Sequence, residues 1–139
     1  MTTLRKLRQK SQRDPRELAS AAGLTLPAYY DLESCDDELR MTVSVAAIAD
    51  IARVLGVKPS VLLGTVSTQE VSLEDVSSAL RAYVARVNKP LSEIEAEIGW
   101  AVGGAMHNPE ELRELNADGL IAVCESIGVD WRSALDGLA

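Results

Sequence analysis

The sequence predicts an all-α fold in which one small helical unit occurs twice in tandem. Three observations carry that expectation. The stretch DPRELASAAGLTLPAYYDLE, Asp14 to Glu33, returns 76 places later as PLSEIEAEIGWAVGGAMHNP, Pro90 to Pro109, with Leu18, Ala22, Gly23 and Leu24 meeting Ile94, Ile98, Gly99 and Trp100. Further on, Ile48, Ile51, Leu55, Gly56 and Val57 meet Leu120, Val123, Ile127, Gly128 and Val129 at an offset of 72. A register change confined to one loop, with apolar positions matching on both sides, is the mark of a duplicated domain. Finally, the chain is 47% apolar yet has no Phe and only 4% aromatic residues. Cores of Leu, Val, Ile and Ala favour helices.

Each element follows from local signals. Leu4 to Lys10 sets Leu4 and Leu7 on one helical face. Asp14 stands at an N-cap position before Pro15, with Glu17 three residues on, the pattern of a capping box. That helix runs to Ala22 and stops at Gly23. Thr25 caps a third helix, Leu26 to Glu33, and the polar segment SCDDELRMTV follows as a loop. Ser44 caps a helix ending at Gly56, and Pro59 opens a short fifth helix through Leu63. The first unit is thus 1–64, the Ser/Thr-rich linker 65–72, and the second unit 73–139. In the second unit a helix from Leu73 carries Val76, Leu80, Tyr83, Val84 and Val87. Pro90 and Leu91 open its next helix and Gly99 ends it; Val102 to His107 forms a third; Asn108 and Asn116 are caps; Trp131 to Leu138 closes the unit.

Charge is segregated. The net charge is −7, but residues 1–66 carry nine Lys/Arg against eight Asp/Glu, and residues 67–139 five against thirteen. Arg5, Lys6, Arg8, Lys10, Arg13 and Arg16 face one acid, Asp14, before position 17. Such a cluster attracts duplex DNA by counterion release, and the acidic half repels it. No apolar stretch approaches the roughly 18 residues of a membrane span, and Met1 to Arg13 lacks the apolar core of a signal peptide. Cys35 and Cys124 share no metal-ligand spacing and read as free thiols, which points to a cytoplasmic protein.

The first unit resembles the lambda-repressor-like, XRE-family helix-turn-helix domain over Leu4 to Gly64, through RELASAAGLTLPAYYDLE for the two central helices and IADIARVLGVKPSVLLG for the last two. The resemblance implies two five-helix helix-turn-helix domains in tandem, the second degenerate. It also implies double-stranded DNA as partner and a third helix laid in the major groove. Residues carried over to the DNA face are Arg5, Arg13, Arg16, Thr25, Tyr30 and Arg40, mainly at phosphate, with Leu26 and Pro27 nearest the bases. Arg8 and Glu33 match a structural ion pair of the family. Their counterparts Val84 and Pro109 have lost both charges together, as expected when one half-buried charge alone is costly. The chain departs from the family at the reading helix itself. Leu26, Pro27, Tyr30 and Asp31 supply no amide or guanidinium for a base edge, and Pro15 replaces a residue that often touches DNA.

A regulator of transcription, acting as a dimer and reading DNA shape through the first unit, is therefore expected. The competing expectation is a protein-interaction module such as an antitoxin, repressor antagonist or adaptor. It would use Leu26, Pro27 and Tyr30 as an exposed apolar patch, or the acidic second unit as a cover over the basic face of the first. The second unit is expected not to read DNA, because Gly103 and Gly104 weaken its third helix and Glu93, Glu95, Glu97, Glu110, Glu111 and Glu114 surround it. The glycines would let a helix of the first unit or another chain approach closely. His107, the only histidine, reads as a surface or cap residue. GxGxxG and GK[ST] loops are absent, so neither an enzyme nor a cofactor is expected.

Overall fold

The computed structural model describes residues 1–67 and 69–138. Thr68, in the expected linker, and Ala139, the last residue of the expected second unit, lie outside the described residues. The chain is all-helical. The first repeat holds α1 (Thr3–Ser11), α2 (Pro15–Ala21), α3 (Leu26–Ser34), α4 (Asp36–Met41), α5 (Val45–Leu55) and α6 (Pro59–Leu62). The second holds α7 (Leu73–Val87), α8 (Leu91–Ile98), α9 (Gly103–His107), a 3-10 turn (Pro109–Glu114), α10 (Ala117–Ile127) and α11 (Trp131–Asp136). Element for element the order is the same in the two halves, save that the 3-10 turn stands where α4 stands in the first.

Two expectations need correction. Each repeat has six elements, not five, because the polar segment after α3 winds into α4 and its shortened counterpart into the 3-10 turn. Asp36, Asp37 and Glu38 sit in the first turn of α4 and Arg40 in the last, which suits the helix dipole, while Leu39 is buried. One buried anchor in six residues is too sparse a pattern to distinguish from a loop. The capping box is half made. Asp14 caps α2 by accepting from the Arg16 amide at 2.9 Å, but the Glu17 carboxylate takes the Arg13 guanidinium at 2.8 Å instead of returning to the cap.

The other caps form where the sequence places them. Thr25 accepts from the Ala28 amide at 3.3 Å, Ser44 from Ala47 at 3.2 Å, and Asn116 from Gly119 at 2.8 Å. Gly56 and Gly128 end α5 and α10 in the left-handed region, at φ of 70° and 77°, where a side chain would be strained. The buried residues of both repeats, from Leu4 to Leu138, form one continuous cluster.

The repeats pack against each other through α4, α5 and α6 on one side and the 3-10 turn, α10 and α11 on the other. The Val45 amide donates to the Leu115 carbonyl at 2.7 Å, and Ser44 bridges to Asn116. At the far end, buried Asp136 accepts from the Ser60 amide at 2.8 Å and hydroxyl at 2.9 Å, and from the Ser67 hydroxyl. The Asp136 carboxylate thereby caps α6, whose own N-cap Lys58 makes no side-chain bond. The segment between repeats is drawn in by the same helix, since the Val71 amide donates to the Ser133 carbonyl at 3.0 Å.

Candidate nucleic-acid interface

The basic face is organised by one buried ion-pair network. Arg8 on α1 pairs with Glu33 on α3 through two contacts, from Nε to Oε1 and from Nη2 to Oε2 at 3.2 Å. The Tyr29 hydroxyl donates to the same carboxylate at 2.8 Å, and the Thr2 hydroxyl donates to the Glu33 carbonyl at 2.8 Å. Glu33 is buried, so each of these donors replaces water it has lost. Burial first, then the bond to Glu33, pushes the Tyr29 phenol well above its ordinary range, and the same carboxylate raises Arg8 further. The charge of Arg8 is consumed within the scaffold.

Arg5 keeps its charge for the surface. It lines an open cleft of about 390 Å³ with Arg8, Tyr30, Glu33 and Ser34, so α1 and α3 bring Arg5 and Tyr30 to one place although they lie 25 residues apart in sequence. Tyr30 is 47% exposed, and Pro27, Asp31 and Ser34 are exposed beside it on α3. Leu26 is only half-buried, and Tyr29 and Leu32 are wholly in the core. Thr25 is exposed, but its hydroxyl oxygen serves the cap of α3.

The remaining cations divide. Arg16, Lys6 and Lys10 are exposed and take no carboxylate among the described residues. Arg13 is exposed and tied to Glu17. Arg40 is held elsewhere: it reaches across to Asp118 of the second repeat at 3.2 Å. Sequence reasoning missed this partner because nothing local links two residues 78 positions apart.

Within one chain the acidic second repeat does not cover the basic face. The second repeat packs on α4, α5 and α6, and leaves Pro27 and Tyr30 exposed. Nor do its glycines admit the first repeat. A Cβ on Gly104 would lie 1.8 Å from the Glu111 carboxylate, and one on Gly103 would lie 3.0 Å from Leu91, so both close approaches are internal. The helix they weaken is held at its ends. Glu95 Oε2 accepts from the Val102 and Gly103 amides at 2.6 and 3.1 Å. From α7, the Ser77 hydroxyl and Arg81 guanidinium donate to the Ala105 and Met106 carbonyls at 2.7 and 2.5 Å. These bonds offset two glycines that cost about 1 kcal/mol each in a helix.

His107 is exposed at the end of α9. Among the described residues no group of three or more His, Cys, Asp or Glu is placed to hold a metal ion, and no helix is long and apolar enough to cross a membrane. No protein-family model matches the chain, nor does any curated protein or solved structure.

Proposed function

We propose that the chain is a DNA-binding regulator of the XRE helix-turn-helix type, contacting the duplex through α1, α2 and α3 of its first repeat. One observation carries this reading: Arg5, Lys6, Lys10 and Arg16 stay exposed on a repeat whose other face is occupied, and Arg5 shares its cleft with the Tyr30 edge of α3. Cations that take no carboxylate among the described residues, beside a helix with an exposed edge, suit phosphate oxygens spaced along a groove. The exposed row on α3 has no amide or guanidinium, so recognition rests on backbone contacts and DNA shape, with Leu26 and Pro27 nearest the bases.

The second reading is a protein-binding face. Pro27 and Tyr30 are exposed together, and Asp31 beside them would meet phosphate with like charge. Selection from random duplexes followed by salt titration separates the two. Under the DNA reading a shared motif is enriched, and Arg5→Ala with Arg16→Ala weakens binding to every sequence. The same pair of changes lowers the log–log salt slope by about two. Wild-type retention by that double variant places the contact elsewhere. Absence of any retained duplex favours the protein face, for which Tyr30→Ala is the diagnostic change.

A further inference from the structure

The two repeats meet across an approximate twofold axis. Ser44 bridges antiparallel to Asn116, its own counterpart 72 places on, and a residue that faces its equivalent marks a twofold contact. The packing obeys the same exchange: α4 lies on α10 while the 3-10 turn, which takes the place of α4, lies on α5, and α6 lies on its counterpart α11. Polar contacts at the far end repeat approximately. Ser60 donates to Asp136, and Arg132, the counterpart of Ser60, donates to Thr65 at 2.8 Å, one residue beyond the counterpart of Asp136.

Yet the strongest polar bonds run one way. Asn116 Nδ2 donates to the Met41 carbonyl at 2.8 Å, Asp118 pairs with Arg40, and Asp136 takes Ser60 and Ser67. The first repeat has Ser44, Ala46 and Gly64 at those three positions, and they supply no amide donor and no carboxylate. Asp136 is buried, so its bonds cannot be exchanged for water without loss.

We infer that α4, α5 and α6 of the first repeat form a self-pairing surface, the kind two copies of this chain would use to dimerise, and that the second repeat occupies it in cis. Asn116, Asp118 and Asp136 make the cis pairing stronger than pairing between two first repeats, so the chain is a monomer with the shape of a dimer. Specificity of this kind comes from what the competing arrangement lacks as much as from what the chosen one gains. Resting on the DNA reading above, the consequence is that each chain offers one α3 and engages one half-site rather than a palindrome.

Sedimentation of the full chain tests the pairing without DNA. Wild type is expected at its monomer mass of 14.9 kDa at every concentration. The variant Asn116→Ser, Asp118→Ala, Asp136→Gly, which installs the first repeat's own residues, is expected to self-associate as concentration rises while keeping its helical circular dichroism. A wild-type dimer, or a helical variant that stays monomeric, overturns the inference. If the triple variant loses helicity, Arg40→Glu decides. That exposed change sets two acids opposite each other in cis but only Ala46 opposite in trans, so dimer is expected, and Asp118→Arg in the same chain is expected to restore monomer. Equal masses for those two chains overturn it as well. Loss of DNA binding leaves the sedimentation result unaffected, so the two readings fail separately.

Discussion

Tyr29 shows how one side chain ties stability to pH. Its hydroxyl is buried and donates to Glu33, which Arg8 neutralises from the other side. The folded phenol holds its proton far above the ordinary value of 10.0, whereas the unfolded phenol does not. Stability from this bond is therefore complete below pH 10 and declines as pH rises beyond it, because only the unfolded state releases the proton. Tyr29→Phe should be less stable than wild type near neutrality, and the gap in urea midpoint should close as pH passes 10. A gap that stays constant with pH would show that the phenol titrates equally in both states. The residue types of this network were legible in the sequence: Tyr29 and Leu32 at inward positions, Arg8 and Glu33 as partners. The bond from Tyr29 to Glu33 was legible in principle, since i and i+4 share a helix face.

At the scale of elements, caps and stops were readable because they are local. Ser, Thr, Asp or Asn followed by an apolar run, and Gly at the end, specify backbone hydrogen bonds within a few residues. What escaped was α4, together with the distant bonds that hold α6 and α9, two helices the sequence did place. α4 keeps only Leu39 fully buried, α6 borrows its cap from Asp136, and α9 borrows its end bonds from Glu95, Ser77 and Arg81. Packing between elements also accounts for paired changes in volume. Gly119 lies 3.1 Å from the Trp100 ring by its would-be Cβ, and these two residues replace Ala47 and Leu24 of the first repeat, small for smaller and large for larger. Gly137 is a sharper case. Its φ of −67° suits any residue, but a Cβ would lie 2.1 Å from the Val71 carbonyl oxygen, which belongs to backbone. Gly137→Ala should cost about 1–3 kcal/mol, the usual penalty of overpacking. Thermal or urea unfolding checks it, and an unchanged midpoint would mean that the segment around Val71 does not rest on α11.

The whole molecule has one core and two surfaces of different character. Because the buried cluster runs through both repeats and the 60–67 region is held to α11 by Asp136, the chain should unfold in a single transition. Its two thiols report on this. Cys35 is exposed, whereas Cys124 is buried in α10, where burial pushes its thiol up to about 12. In native buffer one thiol per chain should react at once and the other only with global unfolding. Asp136→Ala leaves the buried Ser60 amide and hydroxyl short of a partner, at about 1–3 kcal/mol for each unsatisfied group, while the Ser67 hydroxyl keeps the Gln69 carbonyl at 2.9 Å. The substitution should therefore hasten Cys124 labelling and lower the melting of all helices together. Early labelling of Cys124 with the first repeat still intact would divide the molecule into two independent units.

The sequence by itself determined the helical class, most caps and the inward positions of each helix. All of these depend on periodicity and neighbouring residues, and a helix is closed by bonds that span four positions. Only the tertiary structure decided which surfaces the repeats spend on each other. It drew Arg40 away to Asp118, set Arg5 beside Tyr30, and left α3 uncovered instead of masked by acid. Those outcomes come from contacts between residues tens of positions apart, where the partner is chosen by geometry and burial and no short pattern records it.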